Sequence, residues 1–230
     1  MLCPEQARLV GLNLLPEQET DAAEAGTAVH AAIEMRVNDP HATFGDALDR
    51  AIETFDIAES SPTFVWTKYS RRTADRWIET CLGHWWETYG DKDFSLCQAE
   101  TYFQVPIVDT PTQLIELGGT IDLDTPTSVE DWKTSGRGEY EQREYQRWDI
   151  QSTMYLYARY FNVMHKQGLQ RFKVERDQND FAWLRDQAAT AAVLIEAELP
   201  VWPKRDDHWL CSAKWCPAWS QCKGKHFSVA

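Results

Sequence analysis

The sequence has no run of about 18 consecutive apolar residues, which excludes a membrane-spanning helix. It has no basic N-terminal stretch followed by an apolar one, so no secretory signal is expected and the chain is placed in the cytoplasm. No internal repeat, low-complexity tract or long linker interrupts its 230 residues, a length that suits one domain with a real core. Basic residues are scarce: 23 Lys and Arg stand against 36 Asp and Glu, for a net charge of −13. Taken whole, that shortage argues against a polyanionic partner, because phosphates attract cationic surfaces. The shortage is local, however. Residues 1–132 hold 8 basic and 24 acidic side chains, whereas residues 133–230 hold 15 and 12, so the C-terminal part can still present a basic face. A merely solvated surface explains the same asymmetry.

Two residue types stand out. Eleven tryptophans predict a large aromatic core, with a stacking surface for bases as the alternative. Six cysteines without a secretory signal argue for free or metal-bound thiols rather than a disulfide framework.

Periodicity predicts helices over residues 25–36 and 71–89, the second with Trp77, Cys81, His84 and Trp85 at helical spacing. Residues 97–108 read as a strand whose end is marked by Pro106. Residues 113–123 read as another, in which Gly118-Gly119 suggests a bulge or a close backbone approach. Residues 127–133 are short and strand-like. Residues 140–165 carry a 3.6-residue pattern through Trp148, Ile150, Met154, Tyr157, Ala158 and Phe161 and predict a helix. A strand over 169–174 and a helix over 181–199, stopped by Pro200, follow, and the last 30 residues read as irregular. This order predicts a mixed α/β domain with helices flanking a central sheet.

The chemistry concentrates on two neighbouring strands. Asp122 closes the run Gly-Gly-Thr-Ile-Asp, and Asp131-Trp132-Lys133-Thr134 lies on the next strand. Strand alternation puts Asp131 and Lys133 on one face, and pairing the strands as a hairpin brings Asp122 near Asp131. Two carboxylates so close repel one another unless a cation lies between them, and oxygen ligands favour Mg²⁺ or Mn²⁺ over Zn²⁺. A lysine beside such an ion can orient a water or stabilise charge on a phosphorus centre. His30 and Glu34 lie one turn apart on a helix, Glu100 precedes Asp122 on the strand before it, and Gln151 and Tyr155 again share a helix face.

These pieces together resemble the PD-(D/E)XK nuclease superfamily in its RecB-like branch. The resemblance rests on G-x-x-x-H-x-x-x-E at Gly26 to Glu34, Glu100, G-x-x-D at Gly119 to Asp122, D-W-K-T at Asp131 to Thr134, and Q-x-x-x-Y at Gln151 to Tyr155, in this order. It implies a restriction-endonuclease-like αβββαβ core with a central mixed sheet. It also implies that Asp122 and Asp131 bind Mg²⁺ or Mn²⁺ with His30 and the carbonyl of Trp132 as added ligands. Lys133 would position the attacking water, Glu100 would support the metal shell, and Gln151 and Tyr155 would brace the site or touch DNA. Glu34 reads as a structural partner within its helix.

The cysteines extend the resemblance. Cys81 and Cys97 read as buried free thiols. Cys211, Cys216 and Cys222 sit among turn-forming residues, and with Cys3 they offer four thiolates, which suit zinc or an iron–sulfur cluster. A link from Cys3 to Cys211 closes a loop of about 208 residues, where a cross-link gains most from chain entropy. One cysteine before the core and three after it resemble the iron–sulfur subgroup of the RecB-like nucleases, which includes the AddB nuclease domain, CRISPR-adaptation exonucleases and phage-type relatives. That likeness implies a [4Fe–4S] cluster on Cys3, Cys211, Cys216 and Cys222, with zinc as the alternative and His208 as a conceivable substitute for Cys211. It divides one domain, 1–230, into a cluster arm (1–25), a nuclease core (26–200) and a C-terminal Cys-rich, cluster-binding tail (201–230). The expected activity is metal-dependent exonucleolytic cleavage of DNA, from ends or single strands, in recombination, repair or replication. A recombination or replication protein is a candidate partner, and the setting is the host cytoplasm if the gene is a phage's. The alternative is a non-catalytic DNA-end-binding or assembly subunit.

Overall fold

The computed structural model describes residues 3, 5, 8–9, 19–110, 113–136, 138–141, 159–197, 211, 216 and 218–222. They fall into two compact units, Gln18–Arg185 and a second that joins Met1–Glu17 to Asp186–Ala230. Among the described residues no helix is long and apolar enough to cross a membrane.

The larger unit opens with β1 (Glu19–Thr20) and α1 (Asp21–Asn38), followed by α2 (Phe44–Glu59), β2 (Phe64–Val65) and α3 (Arg71–Tyr89). Then come β3 (Gln98–Thr110), β4 (Gln113–Asp124), β5 (Val129–Thr134), β6 (Arg159–His165), β7 (Gly168–Val174) and α4 (Gln178–Glu196). A four-residue α5 (Trp219–Cys222) lies in the second unit. The five long strands form one sheet in the order β3-β4-β5-β6-β7; β5 and β6 run parallel and the other neighbours antiparallel. A mixed sheet with helices packed on it is the architecture expected from the sequence.

Helix α1 buries Ala25, Ala28, Val29, Ala32 and Ile33, a stripe at i, i+3, i+4, i+7 and i+8 that meets α2, α3 and the sheet in one core. Small residues on that stripe let the helix lie close: a Cβ added at Gly26 would stand 3.2 Å from Thr134 Oγ1 at the end of β5. Among the described residues Trp77, Trp85 and Trp132 are buried in this core and Trp86 packs against it, whereas Trp66 and Trp183 are exposed. Trp85 stacks on Tyr89 and Phe94 at 5.7 and 6.0 Å and meets Trp132 edge-on at 5.9 Å. On β5, Glu130 points away from Asp131; it accepts from Asn162 at 2.7 Å and from Arg171, while Asn162 accepts from Tyr89 at 2.8 Å. That network ties β5, β6, β7 and α3 together.

Four expectations need correction. Helix α2 is additional; Thr43 and Asp46 cap it reciprocally, and Ala47, Ala51 and Phe55 are its buried face. The helix expected over 140–165 does not reach His165, because Arg159–His165 is strand β6 (residues 142–158 lie outside the described residues). Phe161 and Val163 face one apolar cluster and Met164 the other, so the strand is buried on both faces, and such a run lacks the alternation that distinguishes strand from helix. Pro106 does not end β3, which continues to Thr110 with a register shift between Pro106 and Val108; β3 is an edge strand, where a missing N–H is tolerated. Gly118-Gly119 pairs in register with Phe103 and Gln104 without a bulge, but a Cβ at Gly118 would stand 2.9 Å from the Tyr102 hydroxyl.

Asp21, fully buried at the first turn of α1, accepts the Thr67 N–H and hydroxyl, each at 2.6 Å, the Lys68 N–H at 3.1 Å, and the Tyr69 N–H. Burial pushes this carboxyl up, but those bonds outweigh it and hold it below its ordinary value. Asp21→Asn leaves buried donors facing an amide and is expected to cost about 2–4 kcal/mol in urea denaturation at pH 7. A carboxyl with a lowered folded-state pKa stabilises above the unfolded-state value and loses that contribution as pH falls through the folded one, so the gap between wild type and variant should close in acid.

Candidate metal centre

The residues expected to carry chemistry come from four elements. His30 sits on the sheet-facing side of α1, Glu100 on β3, Asp122 on β4, and Asp131, Trp132 and Lys133 on β5. The pairs Ala99 with Leu123 and Thr101 with Ile121 bracket Glu100 and Asp122, so the two acids stand opposite each other on adjacent strands. Like charges so placed are destabilising. Glu100 also has φ of 49°, the left-handed region that a non-glycine residue rarely occupies.

His30 lies over both acids, its Nδ1 3.6 Å from Glu100 Oε1 and 3.7 Å from Asp122 Oδ2. These three residues offer one ligand atom each, all within 4.8 Å of one another. His30 Nε2 donates to the Trp132 carbonyl at 2.9 Å. With Nε2 so engaged, Nδ1 is the ring nitrogen that faces the carboxylates. The Trp132 carbonyl, expected as a ligand, accepts this bond and keeps a second lone pair, and the Trp132 N–H donates to Asp122 Oδ2 at 2.6 Å.

Asp131 and Lys133 share a face, as alternation requires, with Nζ 2.6 Å from Oδ2. Lys133 is therefore already paired with Asp131 Oδ2, whereas the buried Oδ1 has no hydrogen-bond partner. Asp131 is 2% exposed. Burial pushes its carboxyl up to about 7; Lys133 opposes the rise and the Asp122 charge adds to it. Asp122 is raised chiefly by burial. Burial lowers His30, but its bond to Glu100 and the charges of Asp122 and Glu100 outweigh that and raise it. A buried acid paired only with a lysine, beside an acid pair and an imidazole, is a donor set that suits a divalent cation.

The cleft over these groups, about 740 Å³, is lined by His30, Glu34, Glu100, Trp132, Lys133 and Thr134 among others. Glu34 faces it from one turn beyond His30. Gln151, Tyr155 and His208 lie outside the described residues.

Cys3, Cys211, Cys216 and Cys222 belong to the second unit; all are unpaired and half-buried. The Cys216 thiol is raised by burial first, opposed by a backbone hydrogen bond from Ala218, and raised further by Cys211, Cys3 and Cys222, so these three lie within electrostatic reach of Cys216. Cys81 is a buried thiol, pushed up to about 12 by burial; Cys97 is half-buried, just before β3.

A family model described as the PD-(D/E)XK nuclease superfamily matches residues 1–223. The chain belongs to that superfamily. No curated protein matches the chain. Among solved structures, one titled "Crystal structure of SSO0001" is similar over 94% of this chain and 93% of that chain, with 11% identity and a TM-score of 0.41. The superfamily uses divalent metals, and in this PD-(D/E)XK chain His30, Glu100 and Asp122 form a candidate metal site, with the Asp131–Lys133 ion pair beside it.

Protons already held at this centre must leave when a cation enters. Binding of Mn²⁺ at pH 7 is expected to release about one proton, and affinity to weaken as pH falls from 8 to 6. Calorimetry in two buffers of different ionisation heat measures the release; identical heats would show that no proton is displaced.

Proposed function

We propose that this protein is a metal-dependent deoxyribonuclease of the RecB-like branch that degrades DNA from its ends. The observation that carries the reading is the cluster of ligand atoms from His30, Glu100 and Asp122, with the buried Asp131 ion-paired to Lys133 beside it. His30 Nδ1, Glu100 and Asp122 would hold the cation, with Asp131 as a further oxygen donor. Bound there, Mg²⁺ or Mn²⁺ would neutralise the scissile phosphate and lower the pKa of an attacking water. Lys133, more than a third exposed to the cleft, points its ammonium at the same place, where it orients the water and stabilises charge on the phosphoryl oxygens. The water oxygen bonds to phosphorus, the bond to the 3′ oxygen breaks, and that oxygen takes a proton, leaving 5′-phosphate and 3′-hydroxyl ends.

The second unit supports a companion proposal, a [4Fe–4S] cluster on Cys3, Cys211, Cys216 and Cys222. Cys216 lies within the field of Cys3, Cys211 and Cys222, and thiolates so placed favour a cation among them. On a single tetrahedral zinc the sulfurs would stand about 3.8 Å apart, given a Zn–S distance of about 2.3 Å. Among the described residues no three cysteine sulfurs approach within 4.8 Å. Thiolates that each take a different iron stand further apart, which favours the cluster. Its role is structural, holding together the two ends of the chain that make up this unit.

Incubating end-labelled linear and circular DNA, single- and double-stranded, with Mg²⁺, Mn²⁺ or EDTA tests the activity. Degradation of linear DNA only, and only with metal, is expected. Cleavage of circles would discard the end requirement, and inertness on every substrate would leave an end-binding subunit.

A further inference from the structure

A second cavity of the larger unit, about 340 Å³, is lined by Lys68, Arg76, Lys166, Tyr69 and Trp77, with Gly136 at its floor. Three cations on one pocket are conspicuous in a chain of net charge −13, whose first 132 residues contain only 8 basic side chains. Among the described residues none of the three has a carboxylate partner, whereas Arg71, Lys133, Arg171 and Lys173 all do. Lys68 Nζ has the Tyr69 ring at 4.8 Å, and a Cβ at Gly136 would stand 2.6 Å from it. The walls are aromatic: the Tyr69 and Trp77 rings lie 6.5 Å apart at 31°. One face of α3, with Thr73, Arg76, Trp77 and Thr80 at i, i+3, i+4 and i+7, forms a side of the pocket.

The pocket is built rather than incidental. Asp21, on the helix that bears His30, accepts the N–H groups of Thr67, Lys68 and Tyr69 and so fixes the loop that supplies two of its walls. Gly136 is three residues beyond Lys133, so the two Cα atoms are at most about 11 Å apart, a few steps along a strand that rises about 3.4 Å per nucleotide.

Resting on the nuclease reading, we infer that this pocket is a nucleotide subsite for single-stranded DNA leading to the metal centre, with phosphate on Lys68, Arg76 and Lys166 and the base or sugar against Tyr69 and Trp77. Cations alternating with aromatic faces match a phosphate beside a flat ring. An acidic peptide offers the charge without the ring, and a stacked duplex does not offer a free base face.

Binding of a short fluorescent single-stranded deoxyoligonucleotide to the full chain in EDTA, read by anisotropy over a salt series, tests this. The double variant Arg76→Ala/Lys166→Ala alters two exposed side chains and spares the core. Its Kd is expected to rise about tenfold and its log–log salt slope to flatten by about 1.4, some 0.7 for each lost phosphate contact. Arg76→Lys/Lys166→Arg should restore both, and duplex binding should change less. An unchanged slope, an equal loss on duplex, competition by polyglutamate as strong as by the oligonucleotide, or no binding by wild type would each overturn the subsite. Because EDTA removes cleavage from the readout, the two readings fail separately. Metal-dependent cleavage with an unaltered slope in the variant sinks the subsite alone. A variant-sensitive slope without any cleavage by wild type sinks the nuclease alone.

Discussion

Asp131→Asn is expected to lower metal-dependent DNA cleavage on the order of 10³-fold and, in the same protein, to raise the stability of the metal-free fold. The two effects share a cause. Asp131 is buried beside Asp122 with Lys133 paired to one of its oxygens, and burial together with the Asp122 charge disfavours its charged form more than the ammonium favours it. Its folded-state pKa of about 7 lies above the ordinary 3.8. A carboxyl raised in this way costs nothing below about pH 4, where it is protonated in both states, and costs progressively more as pH rises to about 7. Every tenfold change in proton affinity corresponds to about 1.4 kcal/mol, and the loss of the Lys133 contact offsets part of the gain. The net stabilisation at pH 8 should be about 1–3 kcal/mol, vanishing at about pH 4. Denaturant titrations of metal-free protein at the two pH values measure it. Added Mn²⁺ should stabilise wild type and do so less in the variant, because only a ligand that binds the folded state shifts the equilibrium. A variant less stable than wild type at pH 8 without metal would show that Asp131 is satisfied in the fold and that the charge cluster is not waiting for a cation.

Where chemistry followed a local period, it was legible in the sequence. Two-residue alternation was enough to put Asp131 and Lys133 on one face, and the hairpin spacing to bring Asp122 beside them. The glycine that opens the His30 motif has its reason in the close approach of α1 to Thr134. What escaped had no local signature. Strand β6 is buried on both faces, so its apolar residues carry no alternation that separates strand from helix. Helix α2 was not among the expected elements: its buried stripe of Ala47, Ala51 and Phe55 is a weak apolar signal beside the tryptophan-rich α3. The Asp21 anchor reaches 46 to 48 residues along the chain to Thr67, Lys68 and Tyr69. The basic pocket gathers Lys68, Arg76 and Lys166 from a loop, a helix and the turn after β6, and no sequence window holds all three. The trio of His30, Glu100 and Asp122 likewise depends on register between β3 and β4, and the left-handed backbone at Glu100 is visible only in three dimensions.

Cys216→Ser is expected to strip the bound metal from the second unit and to unfold that unit. Its described residues offer few large buried side chains: Leu9 and Ala218 are its fully buried apolar positions, in contrast to the aromatic core of the larger unit. The four cysteines come from both ends of the chain that make up this unit, so a cation held by all of them would tie those ends together. In the chain-entropy model, closing a loop of about 208 residues is worth about 5 kcal/mol, more than such a small unit can replace. Cys81→Ala provides the contrast, because Cys81 is a buried thiol within α3 with no metal role and its loss should cost only packing. Anaerobically purified wild type should be brown, with iron and sulfide in stoichiometric amounts; Cys216→Ser should be colourless and cut by protease within the C-terminal segment, while Cys81→Ala keeps its colour. Stoichiometric zinc in a colourless wild type would replace the cluster with a single ion. A Cys216→Ser protein as protease-resistant as wild type would show that the unit holds together without any metal.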